Sequence, residues 1–231
     1  MMNTGVYKRT LGVLHGLADL PFKEFSQRII KSNKQMIGVK IPLLKKVANE
    51  ILKNEELSYL DECEFKFFED TLIFGLIIAK LDEEEFFKYL PTYLSHVDSW
   101  AHIDSFVPTI KFIKKNKDKF FDVIKNNLFT AKDFCLRFYL VCLMNYYLDD
   151  ERLDFVLSAV ESCDGKGYYN DMAIAWLLSV AFIKRQEKVL LFLKNCKLSN
   201  FTLNKTISKI RDSLRVTRET KSLLLNCIRK N

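Results

Sequence analysis

The sequence is short of the residues that interrupt regular backbone, with 7 glycines and 4 prolines among its 231 positions. Few positions therefore favour tight turns, and long helices joined by short polar connectors explain the chain more economically than strands. The six cysteines, Cys63, Cys135, Cys142, Cys163, Cys196 and Cys227, include no CxxC pair and have no His-rich partner segment. That absence argues against the common zinc frameworks, and the cysteines read as buried reduced thiols. His15, His96 and His102 lack ligand spacing to cysteines or carboxylates and read as structural or surface residues, so no metal is expected. Nothing in Met1 to Gly12 resembles the apolar core of a secretory leader, and the longest apolar stretch, Met172 to Ile183, is interrupted by Ser179 and too short to span a bilayer. A soluble, cytoplasmic chain without a membrane partner or a cofactor is the expectation.

What is present suits one packed body. At 48% hydrophobic and 13% aromatic residues, the chain can bury a substantial core, and a single domain over residues 1–231 is expected. The net charge of +7 is unevenly spread: Lys184 to Asn231 carries 13 Lys or Arg against 3 Asp or Glu, which leaves the remainder net negative by three. A basic C-terminal fifth on a near-neutral body suits a polyanion, because each cation that neutralises a phosphate releases condensed counterions. A solvated face with scattered lysines is the alternative.

Helical periodicity recurs along the chain. Pro21 and Pro42 suit first-turn positions and open helices running to about Lys31 and Lys53. Further helices are expected over Tyr59–Lys80, Glu83–Ser95, Ser99–Lys115, Lys119–Leu128, Lys132–Tyr147, Asp150–Glu161, Tyr168–Ile183, Glu187–Asn195, Leu203–Leu214 and Arg218–Arg229. Thr71–Ala79 and Met172–Ile183 are apolar almost all round and read as inner-layer helices, whereas others carry one apolar stripe. Paired buried and amphipathic helices are what a stacked α-solenoid produces. No strict repeat is visible, and a compact irregular helical bundle fits the same pattern.

Within this helical plan, Trp100 and Asp104 fall four apart, on one face of a helix. A carboxylate beside a flat apolar wall could stabilise a cationic sugar and position a water, although from the pair alone a packed tryptophan beside a capping or solvent-facing acid is the commoner reading. Arg137 lies in the apolar, aromatic run Phe134 to Leu140, where a guanidinium needs a compensating anion: Asp104 or a phosphate. Trp176, the second of two tryptophans, sits in a helix of ordinary core composition.

The order Trp100-x3-Asp104, Arg137, then Trp176 inside AIAWLLS resembles the site pattern of the AlkD-like DNA alkylation repair enzymes. Gly38 to Lys46 (GVKIPLLKK) is similar to that family's N-terminal segment, and Asn204 to Ser213 followed by Glu219-Thr220-Lys221 is similar to its closing helices, so the resemblance runs from about Gly38 to the C-terminus. It implies an all-α, HEAT-like repeat solenoid whose concave basic groove holds double-stranded DNA containing alkylated bases. It also implies a monomeric glycosylase that excises positively charged N3- and N7-alkylated purines. In that scheme Asp104 stabilises the oxocarbenium-like sugar, Trp100 and Trp176 contact the deoxyribose and backbone, and Arg137 holds a phosphate. The expected phosphate contacts are Lys205, Lys209, Arg211, Arg215 and Arg218, with Lys40, Lys45 and Lys46 from the N-terminal part; Lys205/Lys209 and Arg211/Arg215 form i,i+4 ridges. Lys111, Lys114, Lys115, Lys117 and Lys119 fit a solvated corner as well as a DNA contact. No lysine stands out as a desolvated Schiff-base nucleophile, so lyase chemistry is not expected. A non-catalytic DNA-binding paralogue and a protein-binding scaffold are the alternatives, the latter because an acidic partner would satisfy the same basic patch.

Overall fold

The computed structural model describes residues 5–230, which are helical and, among those residues, form no strand. An isolated bridge pairs Gln35 with Phe67. The described chain divides into two compact units, the first ending at Lys115 and the second beginning at Asn116.

The first unit contains α1 (Val6–Gly16), α2 (Leu20–Ile29), α3 (Ile41–Lys53), α4 (Tyr59–Glu62), α5 (Phe68–Ile78), α6 (Glu83–Ser95), α7 (Trp100–Phe106), a 3-10 turn (Val107–Thr109) and α8 (Phe112–Lys115). Helix α1 precedes the first helix expected from the sequence, and it buries Val6, Tyr7, Thr10 and Leu14 at helical spacing. Pro21 and Pro42 stand in the first turns of α2 and α3 as expected, where the missing N–H has no intrahelical partner to lose. Asp19 caps α2 by accepting from the Phe22 N–H at 2.9 Å. Every residue of α5 is buried, in keeping with its all-round apolar sequence; it packs against α3, α6 and α7.

The second unit contains α9 (Lys117–Asn127), α10 (Asp133–Tyr146), α11 (Leu153–Cys163), α12 (Tyr168–Lys184), α13 (Gln186–Asn195), α14 (Asn200–Asp212) and α15 (Arg218–Leu225). Helix α12 is its core, packed against α10 and α14.

Several expected helices are broken or end early, among them Arg218–Arg229, which stops at Leu225. Tyr59–Lys80 is interrupted at Cys63–Phe67, because Phe65 takes a left-handed conformation (φ 52°) that buries its ring against Phe74 and His96, at 4.9 and 3.8 Å between centroids. Asp70 then restarts the helix by accepting from the Phe67 N–H at 2.9 Å. Ser99–Lys115 breaks at Pro108, which lies in the 3-10 turn and has no N–H with which to continue α7. Leu203–Leu214 stops at Asp212, since Ser213 is extended (ψ 133°). Arg215 therefore lies in the α14–α15 connector, and the expected Arg211/Arg215 helical ridge does not form.

All six cysteines are free. Cys142, Cys163 and Cys196 are buried as expected; Cys63, Cys135 and Cys227 are only half-buried.

Candidate functional site

In the first unit the site is built on α7. Ser99 opens that helix by accepting from the Ala101 N–H at 3.4 Å. Ala101, His102, Ile103 and Phe106 face the core, which leaves Trp100 and Asp104 half-buried one turn apart on the opener side. The expected shared face is therefore present.

Two buried hydrogen bonds and a part-buried cluster around Asp98 hold this helix in place. The Tyr93 hydroxyl donates to the His102 carbonyl at 2.9 Å, and the His102 ring reaches the Phe68 carbonyl through Nε2 at 3.1 Å. Asp98 accepts from the Ser32 hydroxyl and the Asn33 N–H, both at 2.8 Å, and its other oxygen lies 3.5 Å from His102 Nδ1. Burial, seconded by the Lys34 ammonium, pushes the His102 pKa down to about 4, so the neutral ring donates from Nε2 to Phe68. His102 is thus a structural residue, as its spacing to Asp104 implied. Tyr93 is pushed well above its ordinary value, first by burial and then by the nearby Asp104 charge.

Sequence reasoning missed two residues in the same unit. Glu69 is buried and accepts from three successive N–H groups, those of Ile37 (2.9 Å), Gly38 (2.7 Å) and Val39 (3.2 Å). It thereby fixes the start of the GVKIPLLKK segment, where Gly38 (φ 101°) passes so close to α2 that a Cβ would lie 2.7 Å from the Lys23 Cβ. The signal was available as a Glu inside an apolar helix, the same cue that singled out Arg137. Lys34 corrects the expectation that no lysine is desolvated. Its ammonium donates to Thr71 Oγ1 at 2.6 Å and to the His96 carbonyl, lies 5.7 Å from the Phe65 ring centroid, and has its pKa lowered by burial against the pull of Asp98 and Asp70.

Lys40 and Lys45 belong to this unit as well. Lys40 is ion-paired with Asp19 at 2.6 Å beside the Phe22 ring, so a phosphate would have to compete with a carboxylate already in place. Lys45 and Lys46 are exposed on α3.

The second unit holds Arg137, Trp176 and the C-terminal cations. Arg137 is 5% exposed, and one guanidinium nitrogen donates to the Tyr169 carbonyl in the first turn of α12. Part of what compensates its burial is thus a main-chain carbonyl, which was not among the anions expected. On α12, Met172, Trp176, Val180 and Ile183 are the less buried positions between Asp171 and Ile183. Their helical spacing makes one stripe, so Trp176 stands on the open side of a core helix. The Ser179 hydroxyl donates to the Trp176 carbonyl at 2.7 Å. Lys205, Arg211, Arg215 and Arg218 are exposed and Lys209 is half-buried. Among the described residues none of these five is ion-paired. Lys205 and Lys209 share a face of α14 as expected.

No group of three or more His, Cys, Asp or Glu able to hold a metal occurs among the described residues, and no described helix is long and apolar enough to cross a membrane. A family model described as DNA alkylation repair enzyme matches residues 11–210. The match begins well upstream of Gly38, where the quoted motifs start, and stops before Arg211, Arg215 and Arg218. No curated protein matches the chain.

Proposed function

We propose, for a chain that belongs to the DNA alkylation repair enzyme family, that it is a monofunctional glycosylase hydrolysing the N-glycosidic bond of positively charged N3- and N7-alkylated purines in duplex DNA. The observation that carries this reading is the Trp100–Asp104 pair on the open face of α7, braced from behind by Tyr93 and His102. In the proposed fold the helices stack as HEAT-like repeats around a basic groove. The enzyme would act as a monomer in the cytoplasm, where it meets nucleoid DNA.

The chemistry needs little from the protein. An alkylated purine already carries positive charge, so it leaves as a neutral base without protonation when the C1′–N bond breaks. The electron pair departs with the base, and the sugar develops oxocarbenium character. Asp104 supplies the compensating negative charge and orients a water, whose oxygen adds to C1′ and whose proton passes to the carboxylate or to solvent. Trp100 and Trp176 would line the deoxyribose and backbone, and Arg137 would hold a phosphate near the lesion. Lys205 and Lys209, followed by Arg211, Arg215 and Arg218, would contact phosphates without reading sequence. Lys45 and Lys46 fit the same role from the first unit, with Lys40 weakened by its Asp19 pair.

The absence of a lyase step in this proposal draws support from Lys34. That lysine is desolvated, but its ammonium is engaged by Thr71 and the His96 carbonyl. The test is release of methylated purines from alkylated duplex DNA together with scoring of the product strand. Free base with an intact abasic strand supports the reading; strand cleavage without added base would contradict its monofunctional part, and absence of free base would contradict the whole.

A further inference from the structure

We infer that Tyr168 and Phe201 form a stacking platform for an unpaired nucleobase of DNA, edged by the Lys205 ammonium. The inference rests on the DNA-repair reading and adds to it a site for a base that has left the helix stack.

Tyr168 opens α12 and Phe201 lies in the first turn of α14, yet they are 60% and 39% exposed, in a chain that leaves few of its aromatic rings exposed. Their ring centroids are 5.9 Å apart with a 48° tilt. Four residues after Phe201, Lys205 brings its Nζ to 5.8 Å from the Phe201 centroid. Two exposed rings with a cation beside them match what an unpaired nucleotide offers, a π face and a phosphate. A paired base has both faces covered by its neighbours and cannot use such a surface. The Asp164 carboxylate, at the same end of α14, is occupied by the Ser199 N–H and the Thr202 hydroxyl.

The platform rests on a fixed base. The Tyr169 ring lies 5.4 Å from Tyr168 and 5.6 Å from Phe134, and the Tyr169 carbonyl receives Arg137. The proposed phosphate-holding residue and the proposed stacking ring are therefore attached to adjacent residues of one helix. A base displaced next to that phosphate is the occupant this arrangement fits.

The experiment compares binding of the full-length chain to a duplex carrying one extrahelical 2-aminopurine and to the fully paired duplex of equal length. Wild type is expected to prefer the extrahelical base by about tenfold and to quench its fluorescence. Tyr168→Leu and Phe201→Leu, which keep apolar bulk but remove the π face, should lose that preference with paired-duplex affinity unchanged, while Tyr168→Phe retains it. Equal binding of the two duplexes by wild type, or a preference that survives both leucine variants, overturns the platform and leaves the glycosylase reading standing. Failure of wild type to bind either duplex overturns both.

Discussion

The Arg137 guanidinium on α10 donates to the Tyr169 main-chain carbonyl at the start of α12, tying together the helices that carry Arg137 and Trp176. Arg137→Ala removes a charged donor from a residue only 5% exposed and leaves a gap beside α12. The expected cost is about 2 kcal/mol of stability, read as a lower urea midpoint. DNA affinity should fall with it if another face of the same guanidinium holds a phosphate. Arg137→Lys should restore little, because an ammonium lacks the planar fork. A variant with wild-type stability would remove the helix-tying role.

Gly75 lies inside α5 directly under Tyr93, and a Cβ there would sit 2.7 Å from the Tyr93 ring. Alanine in place of glycine improves helix propensity by about 1 kcal/mol. Tyr93 is fully buried and committed to the His102 carbonyl, however, so it cannot easily give way. Gly75→Ala is expected to lower stability by roughly 1–3 kcal/mol. A urea midpoint equal to or above wild type would show that Tyr93 yields.

His102 makes stability depend on pH. Its folded-state pKa of about 4 lies below the ordinary 6.5, so the unfolded chain binds more protons between these values and stability rises with pH across that window. The contribution is complete above about pH 6.5 and is lost on acidification towards pH 4; in full it is on the order of 3 kcal/mol. His102→Gln should flatten the pH dependence of the urea midpoint between pH 6.5 and 4. An unchanged slope would assign it to other groups.

Lys205 and Lys209 share a face of α14 without ion-pair partners among the described residues, whereas Lys40 is paired with Asp19. Replacing Lys205 and Lys209 together by alanine should reduce the slope of log affinity against log salt by about 2. Lys40→Ala should change it little. Equal slopes for the double variant and wild type would take α14 off the DNA.

The all-helical class and the buried character of α5 and α12 were legible in the sequence because they follow from period and composition. Trp100 and Asp104 were legible as a pair because spacing alone puts them on one helix face. The break at Phe65 was not, since its left-handed backbone is stabilised by ring contacts with Phe74 and with His96 at the end of a later helix, which only the fold brings together. The Tyr169 carbonyl that Arg137 meets was hidden for a related reason: burial demands compensating acceptors, but a main-chain carbonyl carries no sequence signature. Tyr168 and Phe201 escaped notice because exposure, which singles them out, is a property of the fold.

The central claim is that Asp104 stabilises the developing sugar cation, and single-turnover release of 7-methylguanine and 3-methyladenine from methylated duplex DNA tests it most directly. Asp104→Asn keeps the side chain's shape and removes its charge. The account predicts unchanged folding and DNA affinity with excision lowered by about 10²–10³-fold. Equal excision by wild type and Asp104→Asn would contradict it.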